Sequence, residues 1–496
     1  MKKSIQIILV FALLITLVPV AFAANELKVL VGGKAIDFPD AKPFIDQNNR
    51  TQIPIAVLAR ALGADVSWDQ GTQTARIVKA GKQITITIGK SEMSVDDEIV
   101  NMDTAAVLLS NRTFIPVSFV AQALDYTVRW DAINSTVSLT QNNQAFAYRL
   151  MESLPKDSNY MVSPISIKIA FAMVANGANG VTKDEILSTL GIDNLDEFNN
   201  YAKELIKAYG ENSSMELKIA NSIWLNTDCM PGVDFSESFG KTVSDYYNAK
   251  SGTVNDSNAA DTINRWISDN TNGKIDNAVS GSDFLAALVN ATYFKADWAR
   301  QFSQWATKEA EFTNADDTVS NTDFMNMTGY FKYYSDKSVQ MISLPYTSTK
   351  SGGGGISMYI ALTDGGYVNY ESIFEKTEVE DVRLSIPKFS IKYDVKLNDI
   401  LKQLGIKTAF DKYVAELSPM FNEPGEYYIE KATHKTYIDV DENGTEAAAA
   451  TVIEVAPTSM PIDDPIEFTA NRPFVFFIRD DLSGEILFMG EYLFAK

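Results

Sequence analysis

Cysteine and histidine are almost missing from this sequence: Cys229 and His434 stand alone among 496 residues. One thiol allows no internal disulfide. One imidazole rules out a His-rich metal site, and makes a Ser-His-Asp triad elsewhere hard to build. Positive charge is also scarce, with 43 Lys and Arg against 64 Asp and Glu and a formal net charge of −21. That balance argues against nucleic acid or an anionic membrane as partner, because both are bound through basic surface. Beyond the N-terminal apolar stretch, no run is long enough to cross a bilayer. A Gly-Lys-Ser at residues 89–91 lacks the glycine a phosphate-binding loop needs at 84, where Ile84 stands.

The N-terminus reads as a secretory signal peptide. Lys2 and Lys3 precede the apolar run Ile5–Val20, and Ala21-Phe22-Ala23 offers a small-x-small cleavage site, so residues 1–23 are expected to be removed. An uncleaved membrane anchor is the alternative. Without Lys2 and Lys3 the net charge moves from −21 to −23. The rest, in a chain 46% hydrophobic, is enough for two domains with their own cores.

Residues 24–140 contain an internal repeat. "NRTQIPIAVLARALGADVSWD" begins at Asn49 and "NRTFIPVSFVAQALDYTVRWD" at Asn111, 62 residues on and without a gap. Each copy puts a proline (Pro54, Pro116) at a first helical turn, then a short apolar helix, then a strand ending Trp68-Asp69 or Trp130-Asp131. "QITITIG" between them alternates like a half-buried strand. These units predict a small α/β repeat module. After a polar link at Gln141–Gln144, a helical pattern begins near Ala145. Residues 145–496 show no further repeat, and mix helical segments with many later strands, an α+β pattern. Ser348–Ser357 reads as a loop between two strands.

"DVDENGTEAAAATVIEV", from Asp439 to Val455, starts like a calcium loop, with Asp439, Asp441, Asn443 and Gly444 at the right positions. The position that should carry a bidentate Glu is Ala450, and the metal reading fails. Read as a strand, Thr445, Ala447, Ala449, Thr451, Ile453 and Val455 fall on one uncharged face, with Glu446 and Glu454 on the other. An alanine-rich helix after a turn is the competing reading, with Gly444 a backbone pivot in either case.

Several stretches settle the choice by resemblance. "NYMVSPISIKIAFAMVANGANGVTKDEILSTLG" (159–191), "INRWISDNTNGKI" (263–275), "LVNATYFKADW" (288–298), "LSIPKFSIKYDVKLNDILKQLGI" (384–406) and "NRPFVFFIRDDLSGEILFMG" (471–490) resemble the serpin family, in order, across 145–496. The repeat module resembles the copper amine oxidase N-terminal-like domain of bacterial surface proteins. It contains no histidine, so copper chemistry is not expected of it, and a cell-surface or cell-wall ligand, or a spacer role, is.

The serpin resemblance implies an α+β fold with a large central β-sheet, further sheets, about nine helices and an exposed reactive-centre loop. It places the hinge of that loop at Glu442, Gly444, Thr445, Glu446, Ala447, Ala448, Ala449 and Ala450, in the small-residue form of inhibitory members. From Gly444 onward the loop is expected to be exposed. Thr458 is fifteen residues from Gly444 inclusive, so the resemblance puts the reactive bond at Thr458–Ser459, with a cut after Ser459 or Met460 as the alternatives because the far side before Asn471 is about one residue longer than in some relatives. His434 corresponds to a shutter histidine near Ser163, Ser166 and Asn290, and Trp298 to the breach tryptophan. The implied function is secreted or cell-surface, irreversible inhibition of a target serine protease by acyl-enzyme trapping, with cysteine proteases left open. Thr458 suits a small or shallow primary pocket, elastase-like or subtilisin-like. The chain itself is then not an enzyme, needs no metal or cofactor, and is expected to be monomeric. The alternative is a non-inhibitory serpin-fold binding or scaffold protein at the cell surface.

Overall fold

The computed structural model describes residues 27–495, apart from short stretches (32–33, 80–81, 97, 125, 132–134, 142–144, 211–214, 277–278, 348–354, 365–367) and the longer 446–463. The signal-peptide reading, the hinge residues Glu446 to Ala450 and the Thr458–Ser459 bond lie outside the described residues. The chain divides into two compact units, 1–142 and 143–496.

In the first unit the repeat is visible as geometry. Helices Ile55–Ala61 and Val117–Ala123 each follow a short strand, Thr51–Pro54 and Arg112–Pro116. Both prolines sit one residue before the helix rather than in its first turn: the fixed proline φ serves the end of the strand equally well (φ −58° and −69°). The two strands pair antiparallel with Ile53 opposite Ile115, residues equivalent in the two copies, so a local twofold relation runs between the repeats. Ile53, Leu58 and Leu62 meet Ile115, Val120 and Leu124 in the unit's core. The first five residues of "QITITIG" fall in strand Lys82–Thr87 of a five-stranded sheet, and Ile88 and Gly89 turn out of it.

The second unit is built on two sheets. One has nine strands. The other has six, in the order Lys250–Val254, Met215–Asn226, Ala286–Asp297, Gly444–Thr445, Lys431–Val440, Phe389–Lys396. Behind it runs helix Pro164–Ala175, N-capped by Ser163, with proline in its first turn and every residue buried. A helix apolar round most of its circumference belongs inside a protein, and "PISIKIAFAMVA" is that in sequence apart from Ser166 and Lys168. Among the described residues no helix is long and apolar enough to cross a membrane. Cys229 is exposed and unbridged.

Candidate functional site

The two central strands of the six-stranded sheet are neighbours over only part of their length. Ala286–Asp297 and Lys431–Val440 pair in parallel from Ala287 opposite Lys431 to Tyr293 opposite Tyr437. Beyond that the seam opens, and Gly444–Thr445 stands in it. Thr445 is opposite both Ala296 and Val440, and Gly444 is opposite Asp297.

The acidic turn brings the chain there. Asp441 Oδ1 accepts from the backbone N–H of Asn443 (2.8 Å) and Gly444 (3.2 Å), and the Asp441 N–H donates to the Gly444 carbonyl (2.9 Å). The aspartate folds the chain back on itself, as short acidic side chains do in turns; among the described residues no cluster of His, Cys, Asp or Glu could hold a metal. Gly444 is required for closeness and not as a pivot. It has no positive φ, but a Cβ there would stand 2.2 Å from the Ala296 carbonyl and 2.7 Å from the Asp297 Cα, both backbone. The expectation that the segment is exposed from Gly444 onward is corrected: Gly444 and Thr445 are buried and paired. The turn is short enough to deliver both residues straight into the gap.

Trp298 holds this entry point. Its indole N–H donates to the Asp441 carbonyl (2.9 Å), its backbone N–H to the Asn443 carbonyl (2.9 Å), and its ring stacks on Tyr346 at 4.6 Å and 8°. Tyr346 Oη in turn shares a hydrogen bond with Thr445 Oγ1 (2.7 Å). Glu442, buried, is tied by Lys388 (3.0 Å) and by the Thr307 hydroxyl, which donates to it at 2.7 Å. Burial by itself would raise the Glu442 carboxyl, but the bonds from Thr307 and Lys388 outweigh it and hold the group below its ordinary value. Tyr346, Thr307 and Lys388 were not singled out in the sequence, which has no local signal for partners this remote along the chain.

Lower in the seam, the structure brings Ser163, Ser166, Asn290 and His434 together, all buried. The Ser163 N–H donates to His434 Nε2 (2.9 Å), so Nε2 carries the lone pair and Nδ1–H faces Asn290 Oδ1, which accepts from it. Asn290 Nδ2 donates to Ser166 Oγ (2.6 Å) and to Asn221 Oδ1. Thr292 Oγ1 donates to Ser166 Oγ (2.7 Å), and Ser163 Oγ to the Leu487 carbonyl (2.7 Å). Thr292 is two residues from Asn290, so strand alternation could have found it. Asn221 lies directly opposite Asn290, a fact that only the register reveals. Among the described residues Asn221 Nδ2 finds no partner.

Asn290 and His434 are register partners on the two central strands. Their bond ties the two central strands together across the seam. Full burial pushes His434 down to about 3, the Asn290 bond opposing only in part. The folded protein therefore keeps this ring neutral where the unfolded chain, with an ordinary value of 6.5, takes up a proton. The stability it confers is complete above pH 6.5 and is lost as pH falls from 6.5 toward 3. At pH 5 this amounts to about 2 kcal/mol, at roughly 1.36 kcal/mol per unit. The loss of stability between pH 7 and pH 5 should be smaller by about that amount in His434→Gln; denaturant melts of the two proteins giving equal losses would show that the ring is not held neutral.

A family model for the serpins (serine protease inhibitors) matches residues 141–494. This chain belongs to the serpin family, and a copper amine oxidase N-terminal domain model matches residues 30–139 ahead of it. It is 33% identical over 374 residues to an uncharacterized serpin-like protein of Thermococcus kodakarensis, covering 71% of this chain and 84% of that one. Human neuroserpin is 32% identical over 376 residues, covering 70% and 88%. Among solved structures, the thermophilic serpin tengpin in its native state aligns with a TM-score of 0.64 at 29% identity, covering 71% of this chain and 93% of its own. Serpin48 of the insect Tenebrio molitor aligns with a TM-score of 0.62 at 29% identity, covering 71% and 97%. Serpins are for the most part inhibitors of proteases and not enzymes, although some members do not inhibit.

Proposed function

We propose that this chain is a secreted or cell-surface inhibitory serpin that traps a serine protease by inserting its own loop as a strand. The observation that carries this reading is the burial of Gly444–Thr445 in the open end of the seam. The first residues of the loop already occupy the position from which an inserting strand would continue, and the next in sequence, Ala447 to Ala450, are small and uncharged apart from the flanking Glu446.

In this reading the protease nucleophile adds to the Thr458 carbonyl and the Thr458–Ser459 bond breaks. The new amine of Ser459 leaves with a proton from the protease's general acid, giving an acyl-enzyme. The freed loop then advances between Ala286–Asp297 and Lys431–Val440, parting Asn290 from His434. Serpin loop insertion is an established instance of strand addition that releases stored strain. The tethered protease is carried along, and displacement of its catalytic groups by about 1 Å is enough to slow deacylation on the order of a hundredfold. Thr458 favours proteases with a small or shallow primary pocket; no Arg or Lys occurs between Ala447 and Glu467 to suit a trypsin-like one.

Incubation with a panel of serine and cysteine proteases should yield a complex that survives denaturant with elastase-like or subtilisin-like enzymes. Mass spectrometry of the C-terminal fragment released with it should begin at Ser459. A cut N-terminal to Ala450 would overturn the hinge assignment. Cleavage throughout the panel with no stable complex would favour the second reading, a serpin fold used for surface binding through residues 24–140.

A further inference from the structure

Trp305 is 95% exposed, on the short 3-10 turn Gln304–Ala306 of the second unit. A single exposed apolar residue is ordinary, but this turn is held from several sides. The Ala306 N–H donates to the Ser303 carbonyl (2.9 Å) and the Thr307 N–H to the Gln304 carbonyl (3.3 Å). Asn326 Nδ2 donates to the Ala306 carbonyl (2.8 Å). Two residues beyond the indole, the Thr307 hydroxyl donates to Glu442, and the Phe302 N–H donates to the Glu442 carbonyl (2.8 Å). The indole is therefore presented to solvent on a fixed support, tied to the acidic turn from which the loop departs.

Asn326 also sets the face. It belongs to strand Val319–Ser335 of the nine-stranded sheet, where Asn326, Thr328, Tyr330 and Lys332 alternate to one side. The turn bearing Trp305 is seated on that side, because the Asn326 side chain reaches it. Tyr330, about 13 Å further along the strand, is 72% exposed. On the neighbouring strand Glu378–Pro387, Val379 lies opposite Lys332 and Arg383 opposite Thr328, so both share the face, and Val379 is 65% exposed. Arg383 in turn pairs with Glu467 on the edge strand Ile466–Thr469, the first strand described after the loop. One face thus carries exposed Trp305, Tyr330 and Val379, and it reaches both ends of the loop: Glu442 through Thr307, and Glu467 through Arg383.

We propose that this face is a second contact surface for the target protease, engaged while the protease's catalytic site holds Thr458. Thr458 is nine residues before Glu467, so it stays within about 30 Å of that residue even when the chain between them is fully extended. A protease domain is itself about 40 Å across, which brings its rim within reach of the face. Tryptophan, tyrosine and arginine are the side chains that most often carry binding energy at protein interfaces, and Trp305, Tyr330 and Arg383 stand here together. An indole already held in place gives up little freedom on binding. The charges around it, Lys332, Asp381 and the Arg383–Glu467 pair, are of both signs, so the surface fits a protease with an apolar patch beside its active site. The inference rests on a protease docking at Thr458, and it adds selectivity among proteases whose primary pockets accept threonine equally well.

The test uses the full chain with subtilisin and pancreatic elastase. Trp305→Ala and Tyr330→Ala should each slow formation of the denaturant-resistant complex by about tenfold or more with at least one of the two, and Trp305→Phe should recover part of the rate. The moles of chain consumed per mole of protease and the thermal melt should stay the same, because insertion through Thr445 is untouched. A rise in that ratio in place of a slower rate would mean that the turn acts on the hinge through Thr307, and would overturn the contact. Equal rates for the parent chain and all three variants would overturn the surface and leave the trap standing. If the loop is cleaved without a complex, the trap fails, and the same comparison on kcat/KM for loop cleavage decides the surface alone: a tenfold fall supports it, and an unchanged value overturns it. No reaction with either enzyme would overturn both. A dimer, seen by analytical ultracentrifugation, that dissociates in Trp305→Ala with no change in rate would give the face to a second copy of the chain and overturn the proposal.

Discussion

Replacing Thr445 with arginine should turn the inhibitor into a substrate. Thr445 is fully buried, has backbone partners on both sides in Ala296 and Val440, and shares its hydroxyl with Tyr346. The buried carboxylate of the adjoining turn, Glu442, is already taken by Lys388 and Thr307, so among the described residues it offers a guanidinium at 445 no free partner. Burying an unpaired cation costs several kcal/mol even after relaxation, so the side chain would force the hinge out of the seam. Since about 1.4 kcal/mol is tenfold in rate, insertion should slow at least about a hundredfold, and deacylation should win the competition. The variant should be cleaved at the same bond while the yield of denaturant-resistant complex collapses; Thr445→Ser, which keeps the hydroxyl, should inhibit normally. Undiminished complex with Thr445→Arg would remove the insertion role of this segment.

Much of the second unit could be read from the sequence because its signals are local. Helical segments, alternating strands and an acidic turn each carry their own explanation, and the ordered motifs tie them to one fold. The repeat was legible for a similar reason, since two copies without a gap need no structure to align them. What escaped was set by register. That Asn221 faces Asn290, that Tyr346 lies under Trp298, and that Lys388 reaches Glu442 follow from how distant strands pair. The role given to Gly444 missed for the same reason: glycine in a turn suggests a pivot, and only the neighbouring strand shows that the constraint is the approach of another backbone. The exposure expected at Thr445 failed because alternation tells which face a residue takes, not how far along a strand the pairing has advanced.

Cleavage in the loop should make the protein more stable, the reverse of what a nick does to most folds. Intact, the central strands are joined directly from Ala287–Lys431 to Tyr293–Tyr437, and Gly444–Thr445 stands between them above. After cleavage between Val452 and Met460, Ala447, Ala449 and Thr451 can follow Thr445 on the core face, with Ile453 and Val455 in line when the cut falls beyond them. Burial contributes about 1.5–3 kcal/mol for each large aliphatic side chain. Ordering the backbone opposes this by about 1–2 kcal/mol per residue, so the hydrogen-bond ladders gained on both sides and the relief of strain in the intact form must exceed that cost. The measurement that bears most directly on the trapping mechanism is the melting temperature of the second unit before and after such a nick, read on chains with and without residues 24–140 to separate the two units. A clear rise on nicking is expected; an unchanged or lowered melting temperature would leave the serpin fold in place and rule out the trap.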